Sequence, residues 1–205
     1  MTILDMMVAD GLVPLRSSPD VEVLRTTAAA VADAGLHTFE VTLRATGAVE
    51  AIRTLVAEGG SVAIGAGTVM DAASAEAVLE AGAAFVLSPT VVPGVAAACN
   101  QAGVPYIPGC ATPTEVQTAL DLGCEAVKLF PASSLGPGFL SAIRSVFPGL
   151  RAIPTGGLSP DPFALGPWFD AGAIAVGLGS ALFPKDGPVR LSEAAAVVAQ
   201  ARSRG

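Results

Sequence analysis

Eight short apolar runs recur along the chain, each ending in polar, Gly or Pro residues and each separated from the next by a segment of helical composition. They are "GLVPLR" (11–16), "TFEVTLR" (38–44), "VAIGAG" (62–67), "AFVLSP" (84–89), "VPYIPG" (104–109), "EAVKLFP" (125–131), "LRAIPTGG" (150–157) and "AIAVGLGS" (173–180). Between them lie "VEVLRTTAAAVADAG" (21–35), "AASAEAVLEAG" (72–82) and "TPTEVQTALDLG" (112–123), and a last helix is predicted over roughly 190–203. Gly35, Gly82, Gly103, Gly123 and Gly172 close helical segments, as expected of the residue that enters the left-handed region without strain. A strand, turn, helix and strand repeated in this way calls for parallel pairing, because each crossover carries a helix. Eight units in 205 residues match the size of a compact (β/α)8 TIM barrel. A doubly wound open sheet is the alternative, and it lacks the G-x-G-x-x-G expected after its first strand. No linker interrupts the rhythm, so residues 1–205 read as one α/β domain.

The chain is 52% hydrophobic and only 14% charged, ample material for a large core. From Ala81 to Thr114 there is no charge at all, yet Pro89, Pro93, Pro105, Pro108 and Pro113 interrupt that stretch. Buried strands and an Ala-rich helix fit it better than a membrane span. A net charge of -7 offers no basic field for nucleic acid or an anionic membrane surface. The start, "MTILDMMVADG", lacks a basic end and a long apolar core, so it does not read as a signal peptide. Cys99, Cys110 and Cys124 show no metal-ligand spacing and read as reduced core thiols of a cytoplasmic protein. His37 is the sole histidine, too few for most zinc sites, and neither a metal nor another cofactor is expected.

In (β/α)8 barrels chemistry sits at the C-terminal ends of the strands, and here those ends are polar. In "TFEVTLR", Phe39, Val41 and Leu43 alternate with Glu40, Thr42 and Arg44, and a period of two turns the polar trio inward. An internal ion pair is the structural reading of that trio; a reaction site is the functional one. The same parity turns Lys128 inward between Val127 and Leu129. It is one of two lysines, the other being Lys185. A buried amine near a cation favours its neutral form, the nucleophile needed to form a Schiff base with a carbonyl. "PTGG" (154–157) and "GLGS" (177–180) end the last two runs, where glycines let backbone N–H groups cradle a phosphate. "GAGT" (65–68) adds the hydroxyl of Thr68. An amine, a carboxylate, a guanidinium suited to a carboxylate and a phosphate nest together match a phosphorylated 2-keto acid.

The segments "FEVTLR", "IGAGTV", "LSPTV", "IPGCATPTE", "VKLFPA", "IPTGG" and "AVGLGSAL" run in order over nearly the whole chain. They resemble the 2-keto-3-deoxy-6-phosphogluconate (KDPG) and 4-hydroxy-2-oxoglutarate (KHG) aldolases. The resemblance implies a metal-free class I aldolase on a (β/α)8 barrel, usually a homotrimer, cleaving KDPG to pyruvate and glyceraldehyde 3-phosphate. It implies Lys128 as the Schiff-base lysine and Glu40 as the general acid/base. Arg44 and Thr68 would contact the carboxylate region, Pro89 would line the pocket, and Gly156, Gly157, Gly177 and Ser180 would hold the phosphate. Thr155 falls where the family sets its preference at C4. "PTGG" is similar to the gluconate-specific members, whereas "PGCAT" and "SSLGP" look more like the phosphogalactonate branch. Arg16, at the first strand end, is a further candidate to face the pocket. Rival functions are a phosphosugar epimerase or isomerase, which would want inward His and Asp ligands, and a non-catalytic barrel that binds a phosphorylated metabolite.

Overall fold

A computed structural model describes residues 1–184 and 189–203; Lys185 lies outside them. The elements run α1 (Ile3–Asp10), β1 (Leu12–Arg16), α2 (Val21–Asp33), β2 (Thr38–Thr42), α3 (Ala48–Glu58), β3 (Ala63–Gly67), α4 (Ala72–Glu80) and β4 (Val86–Leu87). Then follow α5 (Pro93–Ala102), β5 (Tyr106–Ile107), β6 (Gly109–Cys110), α6 (Pro113–Asp121), β7 (Val127–Leu129), α7 (Ala132–Leu135) and α8 (Pro137–Val146). The last four are β8 (Ala152–Pro154), α9 (Pro162–Asp170), β9 (Val176–Leu178) and α10 (Leu191–Arg202). The predicted helices thus form almost where the sequence places them. Asp20, Asp71, Thr112 and Asp161 cap four of them by accepting a backbone N–H within the first turn, which satisfies donors that a helix cannot pair internally.

The outcome is an α/β fold with a curled parallel sheet, whose regular ladder runs in two segments rather than as the uninterrupted ring of eight strands expected. Six strands lie in the order β5-β4-β3-β2-β1-β9 and three in the order β6-β7-β8. Every pair is parallel. Proline explains the break. Pro108 alone separates β5 from β6, and it has no N–H to donate to a ladder. Its carbonyl still accepts from Lys128 N at 2.8 Å. Between the segments on the other side, Thr155 bridges Gly177 in parallel, and Ile174 N donates to Ala152 O at 3.0 Å.

Two cores follow from the pleat. Phe39, Val41, Val127 and Leu129 belong to the large one between sheet and helices, the side on which the two-residue period puts them. The concave face holds a smaller cluster of Val13, Phe85, Leu87, Ile107, Ala126, Ile153 and Ala175, joined by Leu4 and Met7. Those last two come from α1, a helix that the strand-helix rhythm does not announce. Thr2 and Asp5 form its capping box, and Gly11 ends it in the left-handed region. α1 therefore packs its apolar side onto the concave face and seals it. The three cysteines are buried and free, and burial pushes their thiols up to about 11 for Cys99 and Cys124 and about 12 for Cys110, which makes them inert.

Met7 is fully buried in that plug. Met7→Ala is expected to lower the unfolding free energy by about 2–5 kcal/mol. Urea denaturation should show this as a lower midpoint with an unchanged slope.

Candidate active site

Opposite the plug, where the strands end, the concave face opens into a cavity of about 370 Å³. Glu40, Arg44, Thr68, Pro89, Lys128, Thr155, Gly156, Gly157, Gly177 and Ser180, all singled out by sequence, line it together. Leu15, Thr42, Phe130, Leu158, Gly179 and Ala181 line it as well. Strand parity points to Thr42, which alternates with Glu40; nothing in the sequence separates Leu158 or Ala181 from other loop residues.

Lys128 sits mid-strand in β7, level with Gly109 of β6 and Ile153 of β8. It is only 5% exposed. Its Nζ stands 5.2 Å from the Phe130 ring centroid, and among the described residues no carboxylate pairs with it. A desolvated, unpaired ammonium is costly, so a merely structural lysine would have been expected to find an acid. Glu40 lies level with Leu15 of β1 and Gly65 of β3 and is 1% exposed. Among the described residues its Oε1 has no hydrogen-bond partner. Space for that carboxylate is made by Gly67, since a Cβ there would overlap it. A buried carboxylate with an unsatisfied oxygen is equipped to take or give a proton or to bind a donor.

Arg44 differs from expectation. β2 ends at Thr42, so the pleat no longer directs residue 44, and Arg44 is exposed at the rim instead of buried in the interior. Its Nε donates to Thr42 Oγ1 at 3.2 Å. Thr68 is half-buried, with φ at 62°, the sole non-glycine with positive φ among the described residues. That backbone is unusual for a β-branched residue and persists only where its surroundings enforce it. Pro89 packs so closely on β6 that a Cβ at Gly109 would overlap its carbonyl.

At the far side, Gly156 and Gly157 follow β8 with φ of 97° and 73°, a backbone region that side-chain-bearing residues rarely adopt. Ala132 N donates to Thr155 O at 2.9 Å and Ser133 N to Gly156 O at 3.0 Å, so α7 holds this turn in place. Thr155 Oγ1 donates to Ile153 O at 3.2 Å and occupies the space that a side chain at Gly177 would need. Ser180 is exposed beyond β9. Arg16 is not among the lining residues: its Nη1 donates to Thr27 Oγ1 at 2.6 Å, and its guanidinium stacks 4.6 Å from the Phe183 ring centroid. Desolvation holds its pKa below the ordinary value.

Among the described residues no group of three or more His, Cys, Asp and Glu could hold a metal, and no helix is long and apolar enough to cross a membrane. His37 takes its partner outside the cavity, with Nδ1 2.7 Å from Asp10 Oδ1. The arrangement therefore brings together a buried amine, a buried carboxylate, a guanidinium at the rim and a glycine-rich turn in one cavity.

Comparison with known proteins places the chain in a family. The family model described as KDPG and KHG aldolase matches residues 3–198. The chain is 39% identical over 158 residues to 2-dehydro-3-deoxy-phosphogluconate aldolase of Treponema pallidum, covering 77% of this chain and 75% of that one. It is 36% identical over 156 residues to 2-dehydro-3-deoxy-6-phosphogalactonate aldolase of Escherichia coli, covering 75% of each. A solved KDPG aldolase from Legionella pneumophila, with pyruvate captured at low pH as a covalent carbinolamine intermediate, superposes with a TM-score of 0.81. That match spans 99% of this chain and 98% of the other at 27% identity. With a family model covering almost its full length, the chain belongs to the KDPG and KHG aldolase family.

Proposed function

We propose that this chain is a class I aldolase that cleaves 2-dehydro-3-deoxy-6-phosphogluconate to pyruvate and glyceraldehyde 3-phosphate. One observation carries the reading above the rest: the Lys128 amine is buried with no acid partner among the described residues, in the same cavity as the Glu40 carboxylate, whose Oε1 is unsatisfied. The covalent carbinolamine in the Legionella relative supports the same chemistry here.

Lys128 Nζ, as the free amine, adds to the C2 ketone to give a carbinolamine, and loss of water leaves a protonated imine. Glu40, acting through a water, transfers the protons of these steps. It then removes the C4 hydroxyl proton as C4=O forms, while the C3–C4 bonding pair becomes the C2=C3 double bond and the C2=N⁺ π pair moves onto nitrogen. Glyceraldehyde 3-phosphate departs and an enamine remains. The enamine takes a proton at C3, and water hydrolyses the resulting imine to pyruvate and free amine. Arg44 and Thr68 hold the carboxylate end, Pro89 lines the pocket, Thr155 sets the preference at C4, and Gly156, Gly157, Gly177 and Ser180 receive the phosphate.

The wider proposal includes closure of the two sheet segments into one (β/α)8 barrel. It is supported by the Thr155–Gly177 bridge and by Pro108 being all that separates β5 from β6. It also includes a homotrimer in the cytoplasm, which light scattering tests as three times the chain mass. The phosphogalactonate reading keeps support from the Escherichia coli relative. Turnover of the two C4 epimers measured side by side separates them, with the gluconate-derived epimer expected to be faster.

Lys128→Ala should lose essentially all pyruvate release in a coupled assay. Borohydride with pyruvate should leave a stable adduct on Lys128 in the unmodified protein, located by mass spectrometry; an adduct elsewhere, or none, overturns the Schiff-base assignment. Glu40→Gln keeps the side-chain shape and should lower kcat by about 10²–10⁴-fold, with the borohydride adduct still formed on long incubation.

A further inference from the structure

We infer that Thr42 is a positioning residue for the substrate carboxylate, acting through Arg44; this rests on the aldolase reading above. Thr42 closes β2 on the same concave face as Glu40, lines the cavity and is almost completely buried. A hydroxyl in such a place needs a partner. Its hydrogen bond among the described residues is the one accepted from Arg44 Nε at 3.2 Å.

Arg44 is the member of the polar trio that the strand does not hold. It lies past the end of β2, exposed at the rim, and among the described residues it makes no ion pair. A long side chain in that situation samples many rotamers and loses that freedom on binding. Tethering Nε to a buried hydroxyl removes part of the freedom beforehand. It also selects which edge of the guanidinium is presented. With Nε–H engaged, the two Nη groups remain as the parallel pair that matches a planar carboxylate. The ligand chemistry is therefore specific: an anionic carboxylate adjoining the ketone, rather than a neutral carbonyl substituent in its place.

The test uses the purified full chain and two ketones, pyruvate and its neutral amide, pyruvamide, each trapped with borohydride over a concentration series. Thr42→Val should raise the half-saturating pyruvate concentration about tenfold, the scale of one hydrogen bond to a charged group, and leave that for pyruvamide unchanged. In cleavage assays KM should rise while kcat moves less, and Thr42→Ser should restore both. Thr42→Cys repeats the comparison should the valine variant not fold. Equal weakening for both ketones, an unchanged pyruvate value, or no rescue by serine overturns the inference while the aldolase reading stands. No trapped adduct in the unsubstituted protein overturns the aldolase reading itself, and this inference with it.

Discussion

The concave face of the sheet carries two kinds of side chain, and the apolar kind decides where the polar kind can be reached. Phe85, Leu87, Ile107 and Ile153 fill one end and are covered by Leu4 and Met7 of α1. Burial of large aromatic and aliphatic side chains is the dominant favourable contribution to such a fold. With that end filled, Glu40, Thr42, Lys128 and Thr155 line a cavity at the opposite strand ends. A buried amine and a buried carboxylate are unfavourable guests in a core; they are tolerable here because the cavity they line admits a ligand or solvent.

Small residues do the complementary work. Gly67 leaves room for the Glu40 carboxylate, Gly109 lets Pro89 approach β6, and Gly177 lets Thr155 lie flat against β9. In each case a methyl group would strike a neighbour across the sheet. The site is thus carved by omission: three strands give up packing volume so that a neighbouring strand can place a functional group.

Much of this was legible in the sequence because two signals were strong. The alternation of apolar runs with Gly-terminated helices exposes the parallel α/β plan, and the two-residue period inside "TFEVTLR" and "EAVKLFP" fixes which way Glu40 and Lys128 point. Legibility fails where the period has nothing to act on. Arg44 lies beyond the last residue of β2, and Arg16 at the end of β1 finds Thr27 and Phe183 instead of the cavity. The short lengths of β4 and β5 reflect Pro89, Pro105 and Pro108, whose missing N–H groups shorten ladders in a way that apolar runs do not show. α1 escaped notice because eight residues before the first strand belong to no repeat. Its role depends on a partner surface that includes Leu87, Ile107 and Ile153 from the distant strands β4, β5 and β8.

The turn bearing Gly156 and Gly157 is not an independent flap. Two backbone hydrogen bonds, from Ala132 to Thr155 and from Ser133 to Gly156, couple it to the segment that leaves β7 only a few residues after Lys128. The turn and the strand that carries the amine thus form one hydrogen-bonded unit, and a substitution that displaces Ala132 or Ser133 would disturb both together.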